Sequence, residues 1–152
     1  MKYEHRFRVQ APQEDVAAFH SRVHGLKAIT PPVTPIRIHS APDPLGEGDE
    51  IDFTMRLGPL PIRWKSRIEA VSVEGFTDRQ THGPFAAWAH RHHFVRLDDH
   101  TTEVHDVVEA SLRPHLLWGA VGLAMWVGLP LLFTYRAART RRLLEQQYQE
   151  GG

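Results

Sequence analysis

The chain has no cysteine, which excludes disulfides, thiolate nucleophiles and cysteine-based zinc sites together. It has no surplus of either charge, since 18 Lys and Arg balance 18 Asp and Glu over 152 residues. No global field therefore favours nucleic acid or an anionic membrane, and no nucleic-acid partner is expected. Lysine is scarce beside arginine, and internal repeats, low-complexity tracts and linkers are all lacking. The length fits a single domain over 1–152 with a sizeable core. Nucleophile motifs, phosphate-cradling glycine loops and zinc-protease helices are absent too. The opening residues Met-Lys-Tyr-Glu-His-Arg-Phe-Arg-Val alternate in polarity, unlike the apolar core of a signal peptide, so a cytoplasmic location is the expectation.

What the chain does have is one long uncharged run. Residues 116–135 carry no formal charge, and Arg136, Arg139, Arg141 and Arg142 follow. Length and basic flank fit a membrane span. They also fit a long C-terminal helix laid against a sheet, with Gly119, Gly122, Gly128 and Pro130 interrupting the run and a polar continuation from Arg139 to Gln149. Leu116, Leu117, Trp118, Val121, Leu123, Trp126, Val127, Leu129, Leu131, Leu132 and Phe133 run almost all round such a helix. A sheet covers only one side. The surplus is expected to face solvent, a second copy in a homodimer, or a membrane surface to which the protein would be peripheral. Arg136 to Arg142 reads as a basic patch that complements the helix dipole and solubilises the helix end.

The rest of the chain alternates with a period of two, one face wet and one dry. Tyr3, His5, Phe7 and Val9 give a first strand, and Pro12 with Glu14 and Asp15 opens a short helix that buries Val16, Ala17, Phe19 and His20. A second short helix is expected around Val23–Ile29, a strand over Val33–His39, and another carrying Ile51, Phe53, Met55 and Leu57 on one face. From Ile62 onward the inward sets are Trp64, Ser66, Ile68 and Ala70; then Phe76, Asp78, Gln80 and His82; then Trp88, His90, His92 and Phe94; then Thr102, Val104, Asp106, Val108 and Ala110. Consecutive strands on short turns must be antiparallel. Pro114 ends the sheet. Several inward residues are polar, and buried polar groups need partners, water or a ligand. Aromatics interleaved with a few hydrogen-bonding groups are how small-molecule cavities are lined.

That order of elements, with Pro61, Arg63, Trp64, Phe76, Asp78, Gln80, Gly83-Pro84-Phe85, Trp88, His90, His92, Phe94, Asp106, Pro114 and the Phe133-Thr-Tyr135-Arg136 step, resembles the helix-grip fold of the START / Bet v 1 / polyketide-cyclase superfamily (SRPBCC). It is similar to that superfamily's bacterial cyclase/dehydrase-like and coenzyme-Q-binding-like branch. The resemblance implies an α+β fold: a curved antiparallel sheet of about seven strands around a long C-terminal helix, with two short helices after strand 1. It also implies a cavity for a hydrophobic ligand between sheet and helix, but no settled reaction.

The expected function is binding or transport of a small hydrophobic ligand, such as a lipid, isoprenoid quinone or polyketide-like molecule. Phe53, Met55, Trp64, Phe76, Asp78, Gln80, Trp88, His90, His92, Phe94 and Asp106 are the expected ligand-binding residues. One alternative is a cyclase or dehydratase, in which Asp78 or Asp106 acts as base and His90 or His92 as acid. Another is an interaction module working through the apolar helix. His90 and His92 could share a metal, with Asp78, Asp106 or His82 completing the set. Spacing fixes no third ligand, so no metal and no cofactor are expected.

Overall fold

A computed structural model describes the backbone of residues 1–151 and the side chains of residues 1–147, so Tyr148 and Gln149, at the end of the expected polar helix, lie outside the described side chains. Strand β1 (Lys2–Val9) leads into α1 (Gln13–Ser21) and α2 (Val23–Ala28). Six strands follow: β2 (Ile36–Ser40), β3 (Glu50–Leu57), β4 (Leu60–Ser72), β5 (Gly75–His82), β6 (Phe85–Asp98) and β7 (Thr101–Leu112). Helix α3 (Leu116–Gly151) completes the chain. The seven strands form one antiparallel sheet in the order β1-β7-β6-β5-β4-β3-β2. Every link from β2 to β7 is a hairpin, and β1 closes against β7. This is the helix-grip architecture.

The apolar face of each strand dictates where the core forms. Phe7, Val9, Val16, Phe94, Val104, Ala137 and Leu144 weld β1, α1, β6 and β7 to the distal half of α3. Val108 packs with Leu129 and Phe133, and Tyr3 lies against that group. Trp64, Phe85 and Ala110 form a third group, with Met125 and Trp126 beside it. Helix α3 thus grips the β1-β7-β6 side of the sheet. The β2–β5 side curls away from it and leaves a space.

Four local features of the strands shape the site, two of them slips of register. Between Lys65 and Ser66 the β4–β5 register slips, Lys65 opposing His82 while Ser66 opposes Gln80. One added residue turns the following side chain to the other face, so His82, expected inward, is exposed. A second irregularity lies between Glu69 and Ser72, where Ala70 takes φ 54°. Ala70, also expected inward, is exposed. The second strand starts at Ile36 rather than Val33, because Pro32 and Pro35 cannot donate to a ladder. Gly75 (φ +141°) brings the start of β5 against β6: a Cβ there would lie 1.8 Å from the His92 carbonyl oxygen. Only glycine allows that approach, which seats the segment bearing His92.

Candidate functional site

Between α3, α2 and the inner face of β2–β6 lies a cavity of about 490 Å³, within the range usual for small-molecule sites. Its walls include Ile51, Phe53, Met55, Trp64, Phe76 and Trp88 from the sheet, and Met125, Leu129 and Leu132 from the helix. Phe53 stacks on Trp64 at 6.2 Å and Trp88 meets Trp64 edge-on at 5.3 Å, so the aromatic wall is continuous. Val33 and Leu131 line the cavity and are also 80% exposed each. They mark its mouth.

The polar groups gather where β5, β6 and β7 cross beneath α3. Cross-strand pairing places Asp78 opposite His90 and His92 opposite Asp106. His90 Nε2 lies 2.8 Å from Asp106 Oδ1, and His92 Nδ1 lies 3.4 Å from the same oxygen. The two imidazoles are 3.7 Å apart at their centroids, and Phe76 stacks on His92 at 4.2 Å. Trp64 donates its indole N–H to Ser66 Oγ at 2.8 Å, and Ser66 favours the ionised form of neighbouring Asp78. Two buried atoms of this group, Asp78 Oδ1 and His92 Nδ1, have no hydrogen-bond partner.

Burial sets the protonation. It pushes the Asp78 carboxyl above its ordinary range, and Ser66 and His90 only partly counter it. Burial acts on Asp106 in the same direction, but the His90 hydrogen bond and charge, with Arg136 and His20, outweigh it and hold that carboxyl low. Desolvation drives His92 well below the usual histidine value and His20 to about 4. The site thus pairs an ionised carboxylate with a carboxyl biased toward its neutral form, beside the neutral imidazoles of His20 and His92, the arrangement from which acid and base roles separate.

Of the expected ligand-binding residues, Phe53, Met55, Trp64, Phe76, Asp78, Trp88, His90 and His92 line the cavity. Three do not. Gln80 spends its amide on the β5–β6 turn, donating Nε2–H to the Phe85 carbonyl at 2.9 Å and accepting the Phe85 N–H at 3.2 Å. Phe94 sits in the core beside Phe7 and Val16. Asp106 stands behind the histidines and reaches the cavity only through them.

Two basic side chains in the lining were not among the expected site residues. Arg136 belongs to the cavity wall, where it acts electrostatically on Asp78 and Asp106 and lies 5.7 Å from the Phe133 ring. This corrects its assignment to the basic patch at the helix end. The signal was its position, three residues after Phe133 and seven after Leu129 on one helical face. His20 of α1 also lines the cavity, its Nδ1–H donating to the Val16 carbonyl at 2.8 Å.

No protein-family model matches this chain, and no curated protein does. Solved structures do. The Zhui aromatase/cyclase from Streptomyces sp. R1128 superposes with a TM-score of 0.80 at 16% identity, over 100% of this chain and 98% of that one. Norcoclaurine synthase from Thalictrum flavum, solved with dopamine and hydroxybenzaldehyde, gives 0.71 at 16% identity, over 96% and 87%. The di-domain ARO/CYC BexL of the BE-7585A biosynthetic pathway gives 0.67 at 17% identity, over 95% of this chain and 46% of that one. At such identities the likeness establishes the fold. The chain has the helix-grip fold that these structures share.

Helix α3 is long and apolar enough to cross a membrane by length and composition, and only 22% of its most apolar 18-residue window is buried. Leu116 (94% exposed), Leu123, Val127 (70%) and Leu131 share one outward ridge, as their spacing of seven, four and four residues requires.

Proposed function

We propose that this protein binds or carries a small, mostly apolar molecule of the lipid, isoprenoid-quinone or polyketide-like class. The molecule lies along the Phe53–Trp64–Trp88 wall, and its one polar end sits among Asp78, His90 and His92, with Arg136 and His20 beside them. The observation that carries this reading is the cavity itself: about 490 Å³ of apolar-walled space whose lining includes two residues with unpartnered buried polar atoms, Asp78 Oδ1 and His92 Nδ1. Such atoms are expensive when left alone, and a ligand hydroxyl or carbonyl relieves that cost. Native mass spectrometry of protein purified from its own host, followed by denaturation and solvent extraction, tests it. A stoichiometric apolar molecule is the expected result.

A second reading, a cyclase or dehydratase working in the same cavity, is favoured by the raised carboxyl of Asp78 near the His90–Asp106 pair, since groups so tuned can move protons near neutrality. Aromatase/cyclases and norcoclaurine synthase share the fold. Asp78→Asn and Asp106→Asn, made separately, distinguish the two: a carrier loses affinity, whereas an enzyme loses turnover and keeps its ligand. The outward ridge of α3 from Leu116 to Leu131 supports a contact role, with a second copy or with a membrane surface. Sedimentation and vesicle flotation separate those two outcomes.

A further inference from the structure

The sequence leaves the histidine pair without a third donor, and the β6–β7 register supplies one. His90, His92 and Asp106, all buried, each place a ligand atom within 4.8 Å of the others. Asp106 Oδ1 stands 2.8 Å from His90 Nε2 and 3.4 Å from His92 Nδ1. Two donors bonded to one ion at about 2.1 Å, and 90–110° apart around it, are separated by about 3.0–3.4 Å. The oxygen therefore already sits close to the separation that shared coordination demands. His92 is 5% exposed, and its Nδ1 has no hydrogen-bond partner. An available lone pair on a neutral, buried imidazole is what a metal ligand requires.

We propose that His90 Nε2, His92 Nδ1 and Asp106 Oδ1 bind a divalent first-row transition ion at the polar end of the cavity. Two imidazoles and one carboxylate suit Zn²⁺, Fe²⁺ or Co²⁺ rather than Ca²⁺ or Mg²⁺, which favour oxygen donors, or Cu⁺, which favours sulfur. Binding exchanges the His90–Asp106 hydrogen bond for two metal bonds, with the His90 proton on Nδ1. Three protein donors leave coordination positions open, and the cavity is the space they face. An ion there would hold a carbonyl or hydroxyl oxygen of a bound molecule. Arg136 opposes the added cation, and the ionised carboxylate of Asp106 offsets it. The metal site is independent of what fills the cavity, because the ion alone is the probe.

The test is titration of untagged, chelator-stripped protein with Co²⁺, read by visible absorption, and with Zn²⁺, read by calorimetry. One equivalent with d–d bands is expected. His92→Gln and Asp106→Asn should each weaken it by at least about tenfold, while Gln80→Ala leaves it unchanged. Should a variant fail to fold, Zn²⁺-induced shifts confined to the His90 and His92 imidazole resonances of the unmodified protein carry the same information. No stoichiometric uptake, uptake unaltered in both folded variants, or shifts confined to exposed histidines such as His39 and His82 would overturn the proposal.

Discussion

Asp106 and His92 stand directly opposite each other in the β6–β7 pairing, 3.4 Å from Oδ1 to Nδ1, and the same oxygen reaches His90 Nε2 at 2.8 Å. One carboxylate on β7 thus hydrogen-bonds one imidazole on β6 and stands close to a second. Asp78, on the other side of His90, keeps one buried oxygen without a partner. The two aspartates occupy the same cluster with opposite energetics: Asp106 is stabilised by what surrounds it, and Asp78 is held at a cost.

That contrast sets the first prediction. Asp106→Ala removes the partner of His90 and should cost about 3 kcal/mol of unfolding free energy. Asp78→Leu removes a desolvated carboxyl and should be neutral or stabilising by about 1 kcal/mol, while weakening ligand binding. Urea denaturation at pH 7 checks both. A loss for Asp78→Leu as large as for Asp106→Ala would contradict the assignment of Asp78 as a binding group retained at the expense of stability.

Gln80 gives the converse case. Its amide closes the β5–β6 turn through two hydrogen bonds to the Phe85 backbone. Gln80→Ala should cost about 1–2 kcal/mol and leave ligand affinity unchanged, measured by denaturation and by probe titration. A selective loss of affinity would return Gln80 to the site.

The pH dependence follows from His20. Its value falls from the ordinary 6.5 to about 4 in the fold, so between those limits the unfolded chain takes up a proton that the folded chain does not. Stability therefore declines as pH falls from 6.5 to about 4, by roughly 3 kcal/mol from this residue. His92 is depressed in the same sense. Asp78, raised in the fold, acts oppositely, contributing stability that is lost as pH rises through its folded value. Denaturation of metal-free protein across that window should show the decline, and His20→Leu should flatten it. An unchanged slope in that variant would show that His20 is not the titrating group.

Much of this was legible in the residues. Alternation of period two located β3 to β7 and put Trp64, Asp78, Trp88, His90 and His92 on the inner face, where the cavity lies. The unread part has physical causes. The slip at Lys65/Ser66 turned His82 outward, and a one-residue slip leaves no mark in an alternating pattern. Gln80 kept the right face, but its amide found backbone five residues on, a contact that only the turn geometry reveals. Arg136 was masked by Arg139, Arg141 and Arg142, although Leu129, Phe133 and Arg136 share one helical face. Asp106 could be placed on the inner face, yet its pairing with His92 depends on the β6–β7 register. A filled core and a hollow one share the same binary pattern, so the cavity itself needed coordinates.

Gly128 is the position at which the cavity can be closed with least disturbance to the fold. Gly128 lines the space, and a Cβ there meets nothing within 4 Å. Gly128→Leu should project a side chain into the cavity, obstruct it and raise helix stability by about 0.5–1 kcal/mol, so lost binding could not be blamed on unfolding. The measurement is a side-by-side titration of the unmodified protein and Gly128→Leu with a fluorescent fatty-acid probe. Saturable one-to-one binding is expected in the first and its loss in the second. No saturable binding to the unmodified protein, or equal binding to both, would contradict it.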